Sequence, residues 1–170
     1  LKGNALYLLG KFQEAKELYN KAFRIAKSNP QVVSLSTKAA LSLGNVEYAR
    51  GNLEQASDQY SIASAAEEVP SMRVLALTNL ANVAFSQEKF PKAVQLNEEA
   101  LDKAKNEYLK ALIHGNLLEL YSKLKNTKLA EGHYSKAQAL CDKFGFPEIQ
   151  WRIWKYYGDL HQNDFQKAES

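Results

Sequence analysis

Residues 43–63 read Leu43-Gly44-Asn45-Val46-Glu47-Tyr48-Ala49-Arg50-Gly51-Asn52-Leu53-Glu54-Gln55-Ala56-Ser57-Asp58-Gln59-Tyr60-Ser61-Ile62-Ala63. The second half places Ala56, Tyr60 and Ala63 at spacings of four and three, which is one stripe of a helix. Two small residues flank a large one, so a neighbouring helix can come close while the ring fills the gap. Gly51-Asn52 in the middle suits a helix C-cap that needs positive φ. The stretch therefore reads as helix, tight turn, helix.

The pattern recurs. Ala15-Tyr19-Ala22 and Ala130-Tyr134-Ala137 repeat it, Ala93-Asn97-Ala100 repeats it without the aromatic, and Ala168 begins a further copy. The leading alanines step by 41, 37, 37 and 38 residues. Gly10 matches Gly51, and Gly3-Asn4 matches Gly44-Asn45. Three residues before each leading alanine stands Phe12, Leu53, Phe90, Thr127 or Phe165, apolar in all but one. Self-similarity at such a period is the signature of stacked helical hairpins. No segment alternates like a strand.

Punctuation sets the boundaries. Ser28-Asn29-Pro30, Val69-Pro70-Ser71 and Gly145-Phe146-Pro147 close second helices, because proline removes a donor and disfavours helix before it. Pro91 sits just inside a helix start. First helices are predicted at 31–50, 71–87, 108–125 and 148–162. Second helices are predicted at 12–28, 53–68, 90–106, 128–144 and from 164 onward. The units are 1–30, 31–70, 71–107, 108–147 and 148–170. Residue 1 falls inside a first helix and residue 170 inside a second. The expectation is a single repeat domain cut at both ends, with raw ends that are candidates for self-association.

Composition narrows the job. The 170 residues are 45% apolar and 24% charged, with net charge +3 spread evenly along the chain. That excludes a disordered tail and argues against a nucleic-acid binder, whose basic residues cluster. No apolar run reaches the ~18 residues of a membrane span. Cys141 stands alone and forms no internal disulfide, which fits a reducing, cytoplasmic setting. As a late-helix residue it reads as a small buried hydrophobe.

The repeated residues resemble the tetratricopeptide repeat. The match rests on Leu43-Gly44-Asn45, Gly51, Leu53, Ala56, Tyr60 and Ala63, and on Gly3-Asn4, Gly10, Phe12, Ala15, Tyr19, Ala22 and Pro30. It covers essentially the whole chain. The departures are the pitch of 37–41 residues, Glu47 where an aromatic is common, and Lys125-Asn126-Thr127 at a turn without glycine. Lys155 also falls at an expected core position. The resemblance implies an all-α solenoid, a right-handed superhelix of antiparallel helix pairs whose first helices line a concave groove.

Asn4, Asn45 and Asn82 occupy one equivalent position in three first helices, which the resemblance places in the groove. An amide offers donor and acceptor together, so a ladder of them could grip the backbone of an extended peptide. Each bond adds about 1 kcal/mol net. Alternatively these amides are consensus residues satisfied by water or a neighbouring helix. Tyr7, Tyr48 and Phe85, one turn on, are candidate pocket walls or core. In the fourth unit Glu119 and Asn116 hold the corresponding places, and Tyr157 does so in the fifth. Lys38, Asn79 and Lys123 form a second candidate surface on the groove wall, whose plainer reading is solvated lysine. Trp151, Trp154 and Tyr157, three apart, are either core or a partner-binding hot spot.

No catalytic or metal pattern emerges. His114, His133 and His161 lack ligand spacing, and no glycine loop cradles a phosphate. The expectation is a non-enzymatic protein-interaction scaffold, without cofactor or metal, that binds a peptide or helix in its groove. The alternative is a ligand-sensing regulatory domain of a larger signalling protein.

Overall fold

The computed structural model describes residues 2–27 and 30–168, and side chains within 2–27 and 31–162. It is all-α among these residues, as the periodicity predicts. Nine α-helices follow one another: α1 (Lys2–Leu8), α2 (Phe12–Lys27), α3 (Val33–Ala49), α4 (Leu53–Ser64), α5 (Pro70–Ser86), α6 (Phe90–Lys103), α7 (Glu107–Lys123), α8 (Thr127–Phe144) and α9 (Pro147–Ala168). A 3₁₀ turn, Pro30–Val32, leads into α3. The predicted stop at Ser28-Asn29 lies outside the described residues.

Four hairpin turns share one backbone solution. Gly10 (φ 72°) and Gly51 (φ 80°) adopt the left-handed conformation. Glu88 and Lys125, both at φ 57°, adopt it at the equivalent places although neither is glycine. In each turn this residue's N–H, or that of the next residue, returns to carbonyls of the preceding helix: Asn52 N to Glu47 O at 2.9 Å, Lys89 N to Ala84 O at 2.8 Å, Asn126 N to Tyr121 O at 2.9 Å. These bonds satisfy carbonyls that a helix end leaves open. The turn lacking glycine is thus not a departure in geometry.

Two second helices are shorter than expected. α4 ends at Ser64 and α6 at Lys103, where Ala104 turns extended (ψ 117°). A larger difference falls at the end, where a turn is predicted at 163–164 and α9 instead continues unbroken to Ala168. A turn of this kind persists because the second helix packs back on the first.

Among the described residues the core is divided into three clusters. One apolar cluster joins α3, α4 and α5 around Ala40, Tyr60 and Val83. A second joins α5, α6 and α7 around Leu77, Ile113 and Leu117. A third joins α7, α8 and α9 around Leu118, Ile149 and Ile153. Each hairpin buries its stripe only against its neighbours, as in a solenoid. The first helices also touch in series, α3 with α5, α5 with α7 and α7 with α9, which sets them along one face.

α9 corrects the reading of its aromatics. Ile149, Ile153, Tyr156 and Leu160 form the stripe packed on α7 and α8. Trp151 and Trp154 are 66% and 53% exposed. Residues three apart drift around a helix, whereas the i, i+4, i+7 stripe stays on one side. Trp154 is tethered all the same, its Nε1 donating to Gln138 Oε1 at 2.7 Å. Lys155 is exposed, not core.

Candidate functional site

The site is built from glycine–asparagine pairs. In α3, Gly44 has no side chain, and the Tyr60 ring from α4 occupies the space where a Cβ would stand. The Tyr60 hydroxyl then donates to Asn45 Oδ1 at 2.8 Å. α1 and α2 repeat this, with Tyr19 over Gly3 and its hydroxyl on Asn4 Oδ1 at 2.7 Å. Burial pushes the Tyr19 and Tyr60 phenols up, so both stay protonated donors. The acceptor half of each amide is therefore occupied within its own hairpin. The Nδ2 donors of Asn4 and Asn45 have no partner among the described residues.

The third unit differs. Ala81 replaces the glycine and Asn97 replaces the tyrosine. Asn97 is buried (1% exposed), with Nδ2 donating to Ala93 O at 2.9 Å. Its Oδ1 accepts from Asn116 Nδ2 at 3.3 Å. Asn116 Oδ1 accepts in turn from Arg152 Nη2 at 3.0 Å. A relay of polar groups thus runs from α6 across α7 to α9. Asn82 is exposed and, among the described residues, its amide has no partner.

Three crevices follow the face of the first helices. One of about 220 Å³ lies among Asn4, Tyr7, Ser42 and Asn45. Another, also about 220 Å³, lies among Tyr48, Asn82, Phe85, Asn116 and Arg152. The third, about 630 Å³, lies between α7 and α9 beside Lys123, Lys125 and Lys155. Glu119 and Tyr156 line both of the last two. The Tyr156 hydroxyl bonds Glu119; burial first and that carboxylate second push its pKa up to about 12.

The remaining sequence candidates divide. Asn79 reaches Asn45 Oδ1 from α5 through Nδ2 at 3.3 Å. Tyr48 shares a 2.8 Å hydrogen bond with Ser86. Tyr7 and Phe85 each pack on the first aromatic of the following helix, Phe12 at 5.6 Å and Phe90 at 5.5 Å between ring centroids. Both rings also line a crevice. Lys38 is exposed and borders none of the three crevices.

Two features escape motif reading. Arg152 lies across α7 because Gly115 leaves room; a Cβ there would stand 3.0 Å from its Nη2. His114 and His133 meet with Nδ1 atoms 2.9 Å apart, and Tyr121 stacks on His133 at 5.5 Å. Helices of one hairpin run antiparallel, so residues about equally distant from the turn at Lys125 meet. That register was the available signal. Among the described residues no group of three metal-ligating side chains gathers. None of the described helices is long and apolar enough to cross a membrane.

Tetratricopeptide-repeat family models match residues 1–29 and 41–108. The chain belongs to the tetratricopeptide-repeat family, a class of protein-interaction repeat scaffolds. Among solved structures it is similar to BtubC (BKLC) from P. vanneervenii, at TM-score 0.84 and 23% identity, covering 98% of this chain and 72% of that one. The apo form of RapI matches at TM-score 0.80 and 15% identity, covering 98% and 66%. The nearly identical TPR-like repeats of a putative kinesin light chain from Podosopora anserina match at 0.72 and 18%, covering 98% and 85%. At these identities the likeness is one of fold. No curated protein matches by sequence.

Proposed function

We propose that the chain binds an extended peptide along the face formed by α1, α3, α5, α7 and α9, without chemistry. The observation that carries this is Asn82, an amide in the middle crevice with no partner among the described residues. A free amide in a groove can bond a peptide N–H and C=O together. The Asn45 oxygen already accepts from Tyr60 and Asn79, and the Asn4 oxygen from Tyr19, so it is their Nδ2 donors that would take peptide carbonyls. Tyr7, Tyr48 and Phe85 supply apolar wall beside them. Backbone capture of this kind tolerates varied side chains, which suits a scaffold.

Display of random peptides against the chain, followed by calorimetry on those retained, tests the reading. Asn82→Ala should weaken binding about tenfold, the worth of one or two lost hydrogen bonds. Its urea midpoint should stay unchanged, since the amide supports nothing internal. Retained peptides whose binding ignores Asn82 and maps to α2, α4 and α6 would overturn the proposal.

A further inference from the structure

We propose that the α7–α9 end of this groove is a subsite for an acidic side chain of the bound peptide, anchored by Arg152. The inference rests on the peptide-groove reading above and adds what the peptide must carry, and where.

The guanidinium is built in. Gly115 stands in the middle of α7, a position where glycine weakens a helix relative to alanine. Its missing side chain is what lets the Arg152 head lie against α7. There Nη2 donates to two neutral oxygens, Leu112 O at 3.2 Å and Asn116 Oδ1 at 3.0 Å. Arg152 Nε is buried without a partner. Among the described residues no carboxylate pairs with Arg152. A partly buried cation held only by neutral acceptors is incompletely compensated. Its planar fork matches a carboxylate, which would supply both the charge and the missing acceptors.

The surroundings agree in sign. Beyond Tyr156 the larger crevice carries Lys123, Lys125 and Lys155, none in an ion pair among the described residues. Against these four cations stand Glu119, already bonded by Tyr156, and Asp159. The crevice at the other end, around Asn4 and Asn45, has no charged lining residue. The groove is therefore polar but uncharged over α1–α3 and cationic over α7–α9. A peptide lying along it is oriented by charge, with its Asp or Glu over α9.

The test is a ¹⁵N-resolved NMR titration of the full chain with two synthetic nonapeptides, each acetylated and amidated at its ends. They are identical except for Asp-Asp or Asn-Asn near one terminus. The Asp probe should bind at least tenfold tighter at low salt, lose that margin at 0.5 M salt, and shift the Arg152 Nε–H signal. Arg152→Gln should abolish the margin, and Gly115→Ala should reduce it by displacing the guanidinium. Circular dichroism confirms that both variants are folded, and Arg152→Lys, which keeps charge without the fork, should retain part of the margin.

Equal binding of the two probes within the groove would overturn the acidic subsite and leave the groove reading intact. Shifts confined to the even-numbered helices, or none at millimolar probe, would overturn both. Because both probes are amidated, neither carries a chain-end carboxylate, and a margin between them reports the Asp side chains alone.

Discussion

The ring of Tyr60 lies directly on Gly44, its Cδ1 2.6 Å from where a Cβ would stand, while its hydroxyl donates to the next residue, Asn45, at 2.8 Å. Glycine, asparagine and tyrosine are thus one device. Where the tyrosine is absent, at Asn97, the glycine is absent too, as Ala81. Gly44→Ala should therefore destabilise by about 1–3 kcal/mol, the range for overpacking. Tyr60→Phe should cost about 1 kcal/mol through the lost hydrogen bond. In Gly44→Ala combined with Tyr60→Asn the steric part should vanish, so that the double variant is less damaged than the sum. Urea titrations of the wild type, Gly44→Ala, Tyr60→Asn and their double variant form the cycle, and strict additivity would refute the coupling.

Glu88 and Lys125 hold a left-handed backbone that Gly10 and Gly51 hold at no steric penalty. A non-glycine residue there costs roughly 1–2 kcal/mol, partly offset because glycine is freer when unfolded. Glu88→Gly and Lys125→Gly should each raise the urea midpoint by an amount equivalent to about 0.5–1 kcal/mol. Gly51→Ala should lower it comparably. A fall in midpoint for both glycine substitutions would show that the side chains contribute more than the strain.

The hairpins were legible because their evidence is local. The Ala-x-x-x-aromatic-x-x-Ala stripe and the glycines each act within a few residues, so turns at Gly10 and Gly51 follow from composition and spacing; Pro70, read as closing a second helix, instead opens α5. The break expected near residue 164 was not found: α9 runs unbroken from Pro147 to Ala168. The Asn ladder was legible in position but not in bonding. That Tyr19 and Tyr60 occupy two of its three oxygens depends on ring placement across a hairpin. Arg152 and the histidine pair were invisible as motifs, since they arise from contacts between helices 19 to 40 residues apart. For Trp151 and Trp154 the sequence left core and partner surface both open, because a spacing of three alone does not fix the buried side; their exposure removes the core reading.

His114 and His133 make stability depend on pH. Burial first, then His133, Lys136 and Lys110, hold the His114 pKa down to about 4. Burial and then Lys136 lower that of His133, while Glu98 acts in the opposite direction. Groups whose native pKa is depressed resist protonation, so the unfolded chain binds more protons. Stability is full above the ordinary value near 6.5 and should fall as pH drops from there toward 4, by up to about 3 kcal/mol for His114. Urea midpoints at pH 7.5 and 5 measure it. His114→Phe combined with His133→Leu should flatten the dependence over that window, and an unchanged slope would remove the pair as its source.

Glu47 gives a separate acid-sensitive feature. It is only 3% exposed, where the family commonly has an aromatic, and accepts from Asn52 Nδ2 at 2.7 Å and pairs with Lys16 Nζ at 2.5 Å. Burial works to raise its pKa, but the bonds from Asn52 and Lys16 and the charges of Lys16 and Arg50 outweigh it and hold the value below the usual carboxylate range. Its contribution is present above pH about 4.5 and is lost as pH falls below it, distinct from the histidine window. Removing one partner leaves the other desolvated, so Glu47→Ala should cost about 1–3 kcal/mol and Lys16→Ala less, because Lys16 is partly solvated. Lys16→Met combined with Glu47→Leu should recover most of the loss by replacing the pair with apolar packing between α2 and α3. Equilibrium denaturation of the three proteins at pH 7 decides it, and a double variant as unstable as Glu47→Ala would mean that Asn52, not Lys16, is the partner that matters.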